Sequence, residues 1–163
     1  MGDRSLDGSG LTVREGRPDD APFVVGLGAT AFARFGDYGP IMREFLASAD
    51  VAFFIAEAAG EPVGFALVEA PLTRPWFKDL VAIAVDAGYR RTGVGRSLLS
   101  RVIVSLEARR DASLLVLTVA DDNDPAITLV RGLGFEMIAG VQGRYAGGQI
   151  SRRMARYVIP GRS

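Results

Sequence analysis

The fold is decided by one stretch, Asp79–Arg101, which reads D-L-V-A-I-A-V-D-A-G-Y-R-R-T-G-V-G-R-S-L-L-S-R. Its first part, Leu80–Val85, is short, apolar and partly β-branched, which is typical of a buried strand. A polar turn over residues 86–92 follows. From Gly93 onward the apolar residues recur at the spacing of one helix face, at Leu98, Leu99, Val102, Ile103 and Leu106. The stretch therefore predicts a strand, a glycine turn and an amphipathic helix.

The junction of that turn with the helix is predicted to bind a phosphate. The first turn of a helix has backbone N–H groups without partners and carries the positive end of the helix dipole. Gly93 and Gly95 would let a phosphate approach the backbone, and Arg90, Arg91 and Arg96 add positive charge. A tight turn is the simpler interpretation of G-x-G alone. The strand, the helix and the arginines together favour a phosphate or pyrophosphate ligand.

Two common phosphate motifs do not fit this stretch. A dinucleotide-binding motif needs G-x-G-x-x-G directly after the strand, but Leu98 stands at the third glycine and a polar turn precedes Gly93. A P-loop needs Gly-Lys-Ser/Thr, which is absent. The pattern that fits is R-x-x-G-x-G, which runs from Arg90 to Gly95 through Arg91, Thr92, Gly93 and Val94.

Composition excludes several classes of mechanism. The 163 residues contain no cysteine and no histidine, so cysteine nucleophiles, histidine-based triads and thiolate zinc sites are excluded, and we expect no metal. The 19 basic and 19 acidic residues balance, which gives no indication of a nucleic-acid partner. No apolar run reaches the roughly 18 residues that span a bilayer, and no signal peptide is visible. We therefore expect a soluble, cytoplasmic protein that does not bind membranes.

The remaining elements predict one α/β (α+β) domain over residues 11–160, after a disordered polar leader over residues 1–10. The order is β-α-α-β-β-β-α-β-α-β-β, a mixed, mostly antiparallel central sheet with helices on both faces. The strand that follows the long helix is expected to lie parallel to the strand before it. Asp124 is predicted to cap the last helix, with Pro125 as its first residue. Predicted strands span residues 11–14, 51–57, 63–69, 80–85, 114–119, 135–141 and 150–158, and predicted helices begin near residues 20, 40, 93 and 125.

This order and several motifs resemble the GNAT superfamily of N-acetyltransferases over residues 11–158. The hairpin A-E-A-A-G-E-P-V-G-F-A and the segment I-A-V-D-A-G-Y-R-R-T-G-V-G-R-S-L-L are similar to family signatures. So are Asn123, Ala126 and Leu129, followed by Gly134 and Phe135. The resemblance implies acetyl-CoA or a related acyl-CoA as donor. It also implies a primary amine of a small molecule or protein as acceptor, acylated by direct attack.

The resemblance also implies which residues hold the donor. The backbone of Ile83–Val85 should pair with the pantetheine arm like an added strand, in a gap of the sheet beyond Val85. The amides of Arg91–Arg96 should hold the pyrophosphate, and Asn123 should contact the donor near its middle; a plain turn residue is the alternative for Asn123. The predicted donor-binding residues are Ile83, Ala84, Val85, Arg90, Arg91, Thr92, Gly93, Val94, Gly95, Arg96 and Asn123.

The resemblance proposes Asp79 as the catalytic base, because some histone-type members carry a catalytic glutamate at that place. Burial would raise the pKa of its carboxyl; a solvated acid at a strand start is the alternative. Glu57 and Glu69 are weaker candidates. An N–H of the central strand near Val85 is expected to bind the oxyanion. Many members carry a tyrosine seven residues after the asparagine as the acid, but here that residue is Val130, so Tyr145 or water is expected to protonate the leaving thiolate.

The acceptor should sit between the first two helices and the last loop, against Phe32, Phe35, Tyr38 and Tyr145. These aromatic residues indicate a partly apolar acceptor, although they also suit a core, and Tyr145 also suits a surface loop. A homodimer is compatible with the fold. Two other functions stay open: a non-catalytic acyl-CoA-binding module, favoured by Val130, and a dinucleotide-dependent oxidoreductase, suggested by Asp121 after the strand that follows the glycine loop.

Overall fold

The computed structural model describes residues 3–4, 10–109 and 113–160. These residues form eight strands and four helices, and the strands make one mixed sheet in the order β1-β2-β3-β4-β5-β6-β8-β7. From β2 onward the predicted order of elements is confirmed. The strands are β1 (Asp3–Arg4), β2 (Leu11–Glu15), β3 (Val51–Ala58), β4 (Glu61–Glu69), β5 (Phe77–Val85), β6 (Ser113–Ala120), β7 (Glu136–Arg144) and β8 (Ile150–Val158); the helices are α1 (Ala21–Ala31), α2 (Tyr38–Ala47), α3 (Val94–Glu107) and α4 (Asp124–Gly132).

The predicted leader lies largely outside the described residues. Residues 3–4 form the short strand β1, which pairs antiparallel with β2 through Asp3 and Val13. Residues 1–2 and 5–9 are not described, so the leader and the single domain after it stay predictions.

The predicted hairpin is confirmed as the antiparallel pair β3–β4. Its two-residue turn has positive φ at both positions, 53° at Ala59 and 81° at Gly60. Such a turn matches the right-handed twist of the flanking strands. The hairpin places β4 beside β5, and β5 runs antiparallel to it.

The parallel pair β5–β6 is confirmed, and it determines where the sheet opens. The two strands pair over Phe77–Leu80 and Leu114–Leu117. The pairing of β4 with β5 shifts register between Leu67 and Val68 and passes over Val81, an extra residue on β5. Such a bulge bends and twists a strand, so β5 leaves β6 after Leu80. The gap that the sequence placed beyond Val85 therefore begins at Val81.

Two apolar clusters cover the two faces of the sheet. The larger includes Leu98, Val102 and Val130 and lies under α3 and α4, while the smaller includes Val24 and Met42 and lies under α1 and α2. The clusters hold α1 and α2 over one face of β5, opposite α3.

The two glycines of α1 differ in purpose. A Cβ on Gly28 would lie 2.6 Å from Met42 Cγ, whereas a Cβ on Gly26 would meet nothing within 4 Å. Gly28 therefore permits the close approach of α1 to α2, and Gly26 does not.

Three predicted boundaries were wrong. β5 begins at Phe77 instead of Leu80, because the side chain of Lys78 is buried and donates a hydrogen bond to the carbonyl oxygen of Pro75. β4 begins at Glu61 instead of residue 63. The final hairpin extends to Arg144, so its loop is residues 145–149 instead of 142–149.

Candidate active site

A cleft of about 390 Å³ lies where β5 and β6 part. One wall comes from the region of α1 and α2, and another from Asp79–Ile83 on β5. The third wall comes from Leu117–Ala120 on β6 and from α4, including Val130. The loop of the last hairpin adds Tyr145. The opening of the sheet and the helices around it therefore create this site between them.

The structure brings all four predicted acceptor residues to this cleft: Phe32, Phe35, Tyr38 and Tyr145. The rings of Phe32 and Tyr38 lie 5.3 Å apart, and those of Phe35 and Tyr145 lie 4.5 Å apart. Phe35 is buried and still lines the cleft. Aromatic side chains thus form an apolar wall opposite the polar groups of β5.

Asp79 lies on the cleft with its side chain 19% exposed. Burial raises the pKa of its carboxyl, Arg153 at 3.7 Å lowers it, and Glu69 on the neighbouring strand raises it. This carboxyl is shielded from solvent and binds a proton more tightly than a free aspartate. A raised pKa is the direction that suits a carboxylate for accepting a proton from a substrate.

Tyr145 is half-buried on the cleft and does not project freely from a surface loop. Burial and, to a smaller extent, Tyr38 raise the pKa of its hydroxyl to about 12, although Arg34 opposes the rise. The hydroxyl therefore stays protonated at physiological pH and can donate a hydrogen bond or a proton.

The glycine turn presents unpartnered amides at the start of α3. The first helical hydrogen bond runs from Ser97 N to Gly93 O at 3.0 Å. The amides of Val94–Arg96 precede it and are left for a ligand. The turn before them is exposed, and Arg91 and Gly93 both have positive φ, 64° and 87°. Successive amides in such conformations can form a concave anion site.

The two glycines of the turn have different roles. At Gly93 the positive φ favours glycine, and a Cβ would meet nothing within 4 Å. At Gly95 a Cβ would lie 3.3 Å from Leu129 Cδ2 and 3.8 Å from Val85 Cγ2. Gly95 therefore serves the packing of α3 near α4 and β5, a reason that the sequence did not reveal.

Asn123 takes the capping role that was predicted for Asp124. Its Oδ1 accepts a hydrogen bond from Ala126 N at 3.3 Å, and Asp124 is the first helical residue. Asn123 also lines the cleft. Its carbonyl group fixes α4, so its amide hydrogens are the groups available to a ligand.

The weaker acidic candidates lie in two different places. Glu57 forms an ion pair with Arg14, whose Nε lies 3.2 Å from Glu57 Oε1, and Arg14 also pairs with Asp20. Glu69 lies directly opposite Asp79 in the ladder of β4 and β5. Glu57 thus supports the start of the sheet, while Glu69 adds negative charge beside the cleft.

Sequence reasoning missed Thr118 and Arg153. Thr118 lines the cleft, and Arg153 Nη1 donates to its Oγ1 at 3.0 Å. The single polar residue within L-L-V-L-T-V-A was a signal for Thr118. Nothing marked Arg153, because β8 carries arginines on both of its faces.

Residues 3–4, 10–109 and 113–160 contain no group of three or more acidic side chains placed to hold a metal ion. None of their helices combines the length and apolar character that a membrane crossing requires.

Comparisons with known proteins agree with this geometry. The sequence profile of the acetyltransferase (GNAT) family matches residues 23–135. An N-alpha-acetyltransferase of Sulfurisphaera tokodaii is 29% identical over 157 residues, which cover 91% of this chain and 93% of the relative. The crystal structure of the ribosomal-protein-S18-alanine N-acetyltransferase from Escherichia coli superposes with a TM-score of 0.78 at 27% identity, over 93% of this chain and 96% of that one. A protein of Salmonella typhimurium, solved with its cofactor acetyl-CoA, shares the fold with a TM-score of 0.76 at 17% identity, over 94% of this chain and 97% of that one.

Proposed function

The chain belongs to the acetyltransferase (GNAT) family, and on that premise we propose that it moves the acetyl group of acetyl-CoA to the α-amino group of a protein or peptide. It is an N-acetyltransferase, as its relatives over nearly the whole chain are. What we propose beyond that activity is the donor, the class of acceptor and the roles of the residues. One observation carries them: the aromatic wall, Asp79 and Asn123 line one cleft where β5 and β6 part. The unpartnered amides of α3 follow the end of that same strand β5, where a Cβ on Gly95 would lie 3.8 Å from Val85 Cγ2.

The donor fits this opening in two respects. The β5–β6 ladder stops at Leu80 in the described sheet, so the edge of Ile83–Val85 on that side is available to the pantetheine amides. The amides of Val94–Arg96, with Arg90, Arg91 and Arg96 nearby, suit the pyrophosphate. The Salmonella typhimurium protein of the same fold was solved with acetyl-CoA, which supports this donor.

Two arguments support the acceptor class: the names of the relatives and the acidity of an α-ammonium group. The relatives are named for α-amino groups or for an alanine of a ribosomal protein. An α-amino group has a pKa of about 7.7–8.0, against about 10.4 for lysine, so it loses its proton more easily at neutral pH. The carboxylates of Asp79 and Glu69 attract the ammonium form, and the aromatic wall accommodates an apolar first side chain.

The reaction needs proton transfers at the amine and at the leaving thiolate. Asp79 accepts a proton from the ammonium group, and the freed amine attacks the thioester carbonyl carbon. As the carbon–sulfur bond breaks, the thiolate takes a proton from Tyr145 or from water. The nitrogen, which carries one proton more than the amide product, gives that proton up and so restores the group that protonated the thiolate. Val130 is apolar and buried on the cleft wall, so it contributes no proton.

The gap between β5 and β6 also bears on the oxyanion site predicted near Val85. That residue lies four positions beyond Val81, the first residue of β5 after its last pair with β6. An N–H of β5 between Val81 and Val85 faces the opening and is the proposed donor. Such donors contribute about 3 kcal/mol to transition-state binding.

Thermal unfolding with acetyl-CoA, and separately with NAD, tests the donor. A ligand at 100 times its dissociation constant stabilises the folded state by about 2.7 kcal/mol, so we expect a clear rise in melting temperature with acetyl-CoA. Stabilisation by NAD alone would contradict the proposal and revive the oxidoreductase alternative.

Thiol release tests the acceptor. The enzyme should release CoA from acetyl-CoA when it is given peptides with a free N-terminus. It should release none when the same peptides have a blocked N-terminus and an internal lysine. Equal release from both would contradict the α-amino proposal. A melting shift without any release would support the non-catalytic binding module.

A further inference from the structure

We propose that Arg153 is a positioning residue for this reaction, because its guanidinium joins Asp79 on β5 to Thr118 on β6 at the point where the two strands part. This inference rests on the proposed function, in which Asp79 is the base. Arg153 is on β8 and acts through the other two residues.

The contacts come from one side chain that spans three strands. Arg153 lies directly opposite Thr118 in the ladder of β6 and β8. Its Nη1 donates to Thr118 Oγ1 at 3.0 Å, and its Nη2 lies 3.7 Å from Asp79 Oδ2. The guanidinium therefore reaches from β8 past β6 to β5.

The location of this contact relates it to the cleft. The last pair between β5 and β6 is Leu80 with Leu117. Asp79 comes one residue before that pair and Thr118 one residue after it, and both line the cleft. Arg153 therefore spans the fork itself, where no backbone pairing in the described sheet continues to hold the two strands at a fixed separation.

The charges around Asp79 give Arg153 a chemical effect. Glu69 faces Asp79 from β4, Arg153 faces it from β8, and the neutral hydroxyls of Tyr38 and Tyr145 line the same cleft. Burial and Glu69 both favour the protonated carboxyl, whereas Arg153 favours the ionised one. A guanidinium stays charged at every working pH. Arg153 therefore keeps Asp79 able to accept a proton in a site that otherwise disfavours its charge.

Thr118 is oriented by the same contact. Its oxygen accepts a hydrogen from Arg153, so its own hydrogen is left to donate. Thr118 is exposed on the cleft wall. Arg153 thereby fixes one acceptor group and one donor group on opposite sides of the opening.

The chain offers a matched control in the adjacent residue. Arg152 points to the opposite face of β8, since neighbouring strand residues alternate, and its Nε lies 3.1 Å from Asp121 Oδ1. The side chains of Arg152 and Arg153 are similarly exposed, at 33% and 30%. Arg152→Met removes an arginine from the same strand without touching Asp79.

The test compares Arg153→Met, Arg153→Lys and Arg152→Met by two measurements. The first is the carboxyl titration of Asp79 by ¹³C NMR in the protein without ligands, with the signal assigned by its loss in Asp79→Asn. The second is kcat for a peptide with a free N-terminus at neutral pH. We expect Arg153→Met to raise the pKa of Asp79 and to lower kcat by about tenfold or more. Arg153→Lys should restore part of both, and Arg152→Met should match the unaltered protein.

Two outcomes would overturn the proposal: an unchanged Asp79 titration in Arg153→Met, or an equal loss of kcat in Arg152→Met. Either would leave the proposed function intact, provided that the unaltered protein transfers acetyl groups. Absence of transfer by the unaltered protein would instead overturn the proposed function and the reaction role of Arg153. The titration would still show whether Arg153 and Asp79 are coupled.

Discussion

The backbone N–H of Gly147 donates to the carbonyl oxygen of Phe35 at 3.0 Å, and this bond ties the last hairpin to the loop between α1 and α2. Gln149 Nε2 adds a hydrogen bond to Arg34 O at 2.8 Å, and the ring of Tyr145 packs on that of Phe35. The two segments that carry the aromatic acceptor wall are therefore joined to each other. The position of Tyr145 depends on this junction.

Alanine at Gly147 should break this junction. Its Cβ would lie 2.0 Å from Arg34 O, so the hairpin must move, at a cost of about 1–3 kcal/mol for such overpacking. We expect KM for a peptide acceptor to rise several-fold while the affinity for acetyl-CoA stays the same, as measured by steady-state kinetics and by titration. Gly26→Ala is the control, because its Cβ meets nothing within 4 Å and should stabilise α1 by about 1 kcal/mol. A Gly147→Ala enzyme with an unchanged KM would show that the junction does not shape the acceptor site.

Gly93 and Gly95 should respond differently to alanine. Gly93 has φ of 87°, so alanine there costs about 1–2 kcal/mol of stability, and the displaced amides should weaken acetyl-CoA binding by about tenfold, which equals 1.4 kcal/mol. At Gly95 the new Cβ meets the end of the Leu129 side chain, which can shift, and the gain in helix propensity of about 1 kcal/mol offsets that contact. Thermal melts and acetyl-CoA titration measure both effects. Equal losses of affinity would contradict the distinction between the two glycines.

Asp79→Asn should stabilise the protein at neutral pH while it reduces activity. The pKa of Asp79 is raised in the fold from its ordinary value of 3.8, so the folded state binds this proton more tightly than the unfolded state. Stability therefore falls as the pH rises from below 3.8 through the raised pKa, and the full penalty is present above both values. We expect a higher melting temperature for Asp79→Asn at pH 7 and no difference from the unaltered protein well below pH 3.8.

Asp20→Asn should have the opposite effect on stability to Asp79→Asn. Hydrogen bonds from Arg14 lower the pKa of Asp20 from 3.8, and two of them are 2.8 Å long. The stability from this pair is present above 3.8 and is lost as the pH falls through the lowered pKa. Asp20→Asn should cost about 2 kcal/mol at pH 7, typical of hydrogen bonds to a charged group, and should approach the unaltered protein at low pH. Melts of both variants across pH would contradict this account if the two changed in the same direction.

Tyr145→Phe should lower kcat and keep the fold. The phenyl ring preserves the packing on Phe35, at 4.5 Å between ring centroids, while the proton donor is lost. A positioned acid contributes about 10²-fold or more, so we expect a loss near that size, measured by thiol release under saturating substrates. Because the pKa of Tyr145 is about 12, its ionisation should leave kcat flat up to about pH 11 in the unaltered enzyme. An unchanged kcat in Tyr145→Phe would assign the protonation of the thiolate to water.

The sequence predicted the features that depend on near neighbours. The strand, turn and helix around Gly93 follow from local apolar spacing and from glycine, and the hairpin of β3 and β4 follows from its short link. The position of the gap depends instead on how β4 pairs with β5, because the bulge at Val81 arises between strands and has no local pattern. The pairing of Arg153 with Asp79 joins positions far apart in the chain, and neither segment has a local sequence pattern that predicts it. The helix cap was predicted one residue too late, at Asp124 instead of Asn123, because asparagine and aspartate are both good capping residues.

The fork between β5 and β6 has a consequence for the lifetime of the protein. Four residue pairs join the two portions of the described sheet along this seam, against eight between β6 and β8, so the sheet opens more readily at the seam than between β6 and β8. Under the proposed function, the pantetheine arm of acetyl-CoA lies along Ile83–Val85 and acts as a removable strand that closes it. Ligands that bind the folded state alone shift the unfolding equilibrium and reduce exposure to proteases. We therefore expect bound acetyl-CoA to lengthen the lifetime of the folded enzyme as well as to supply its acetyl group.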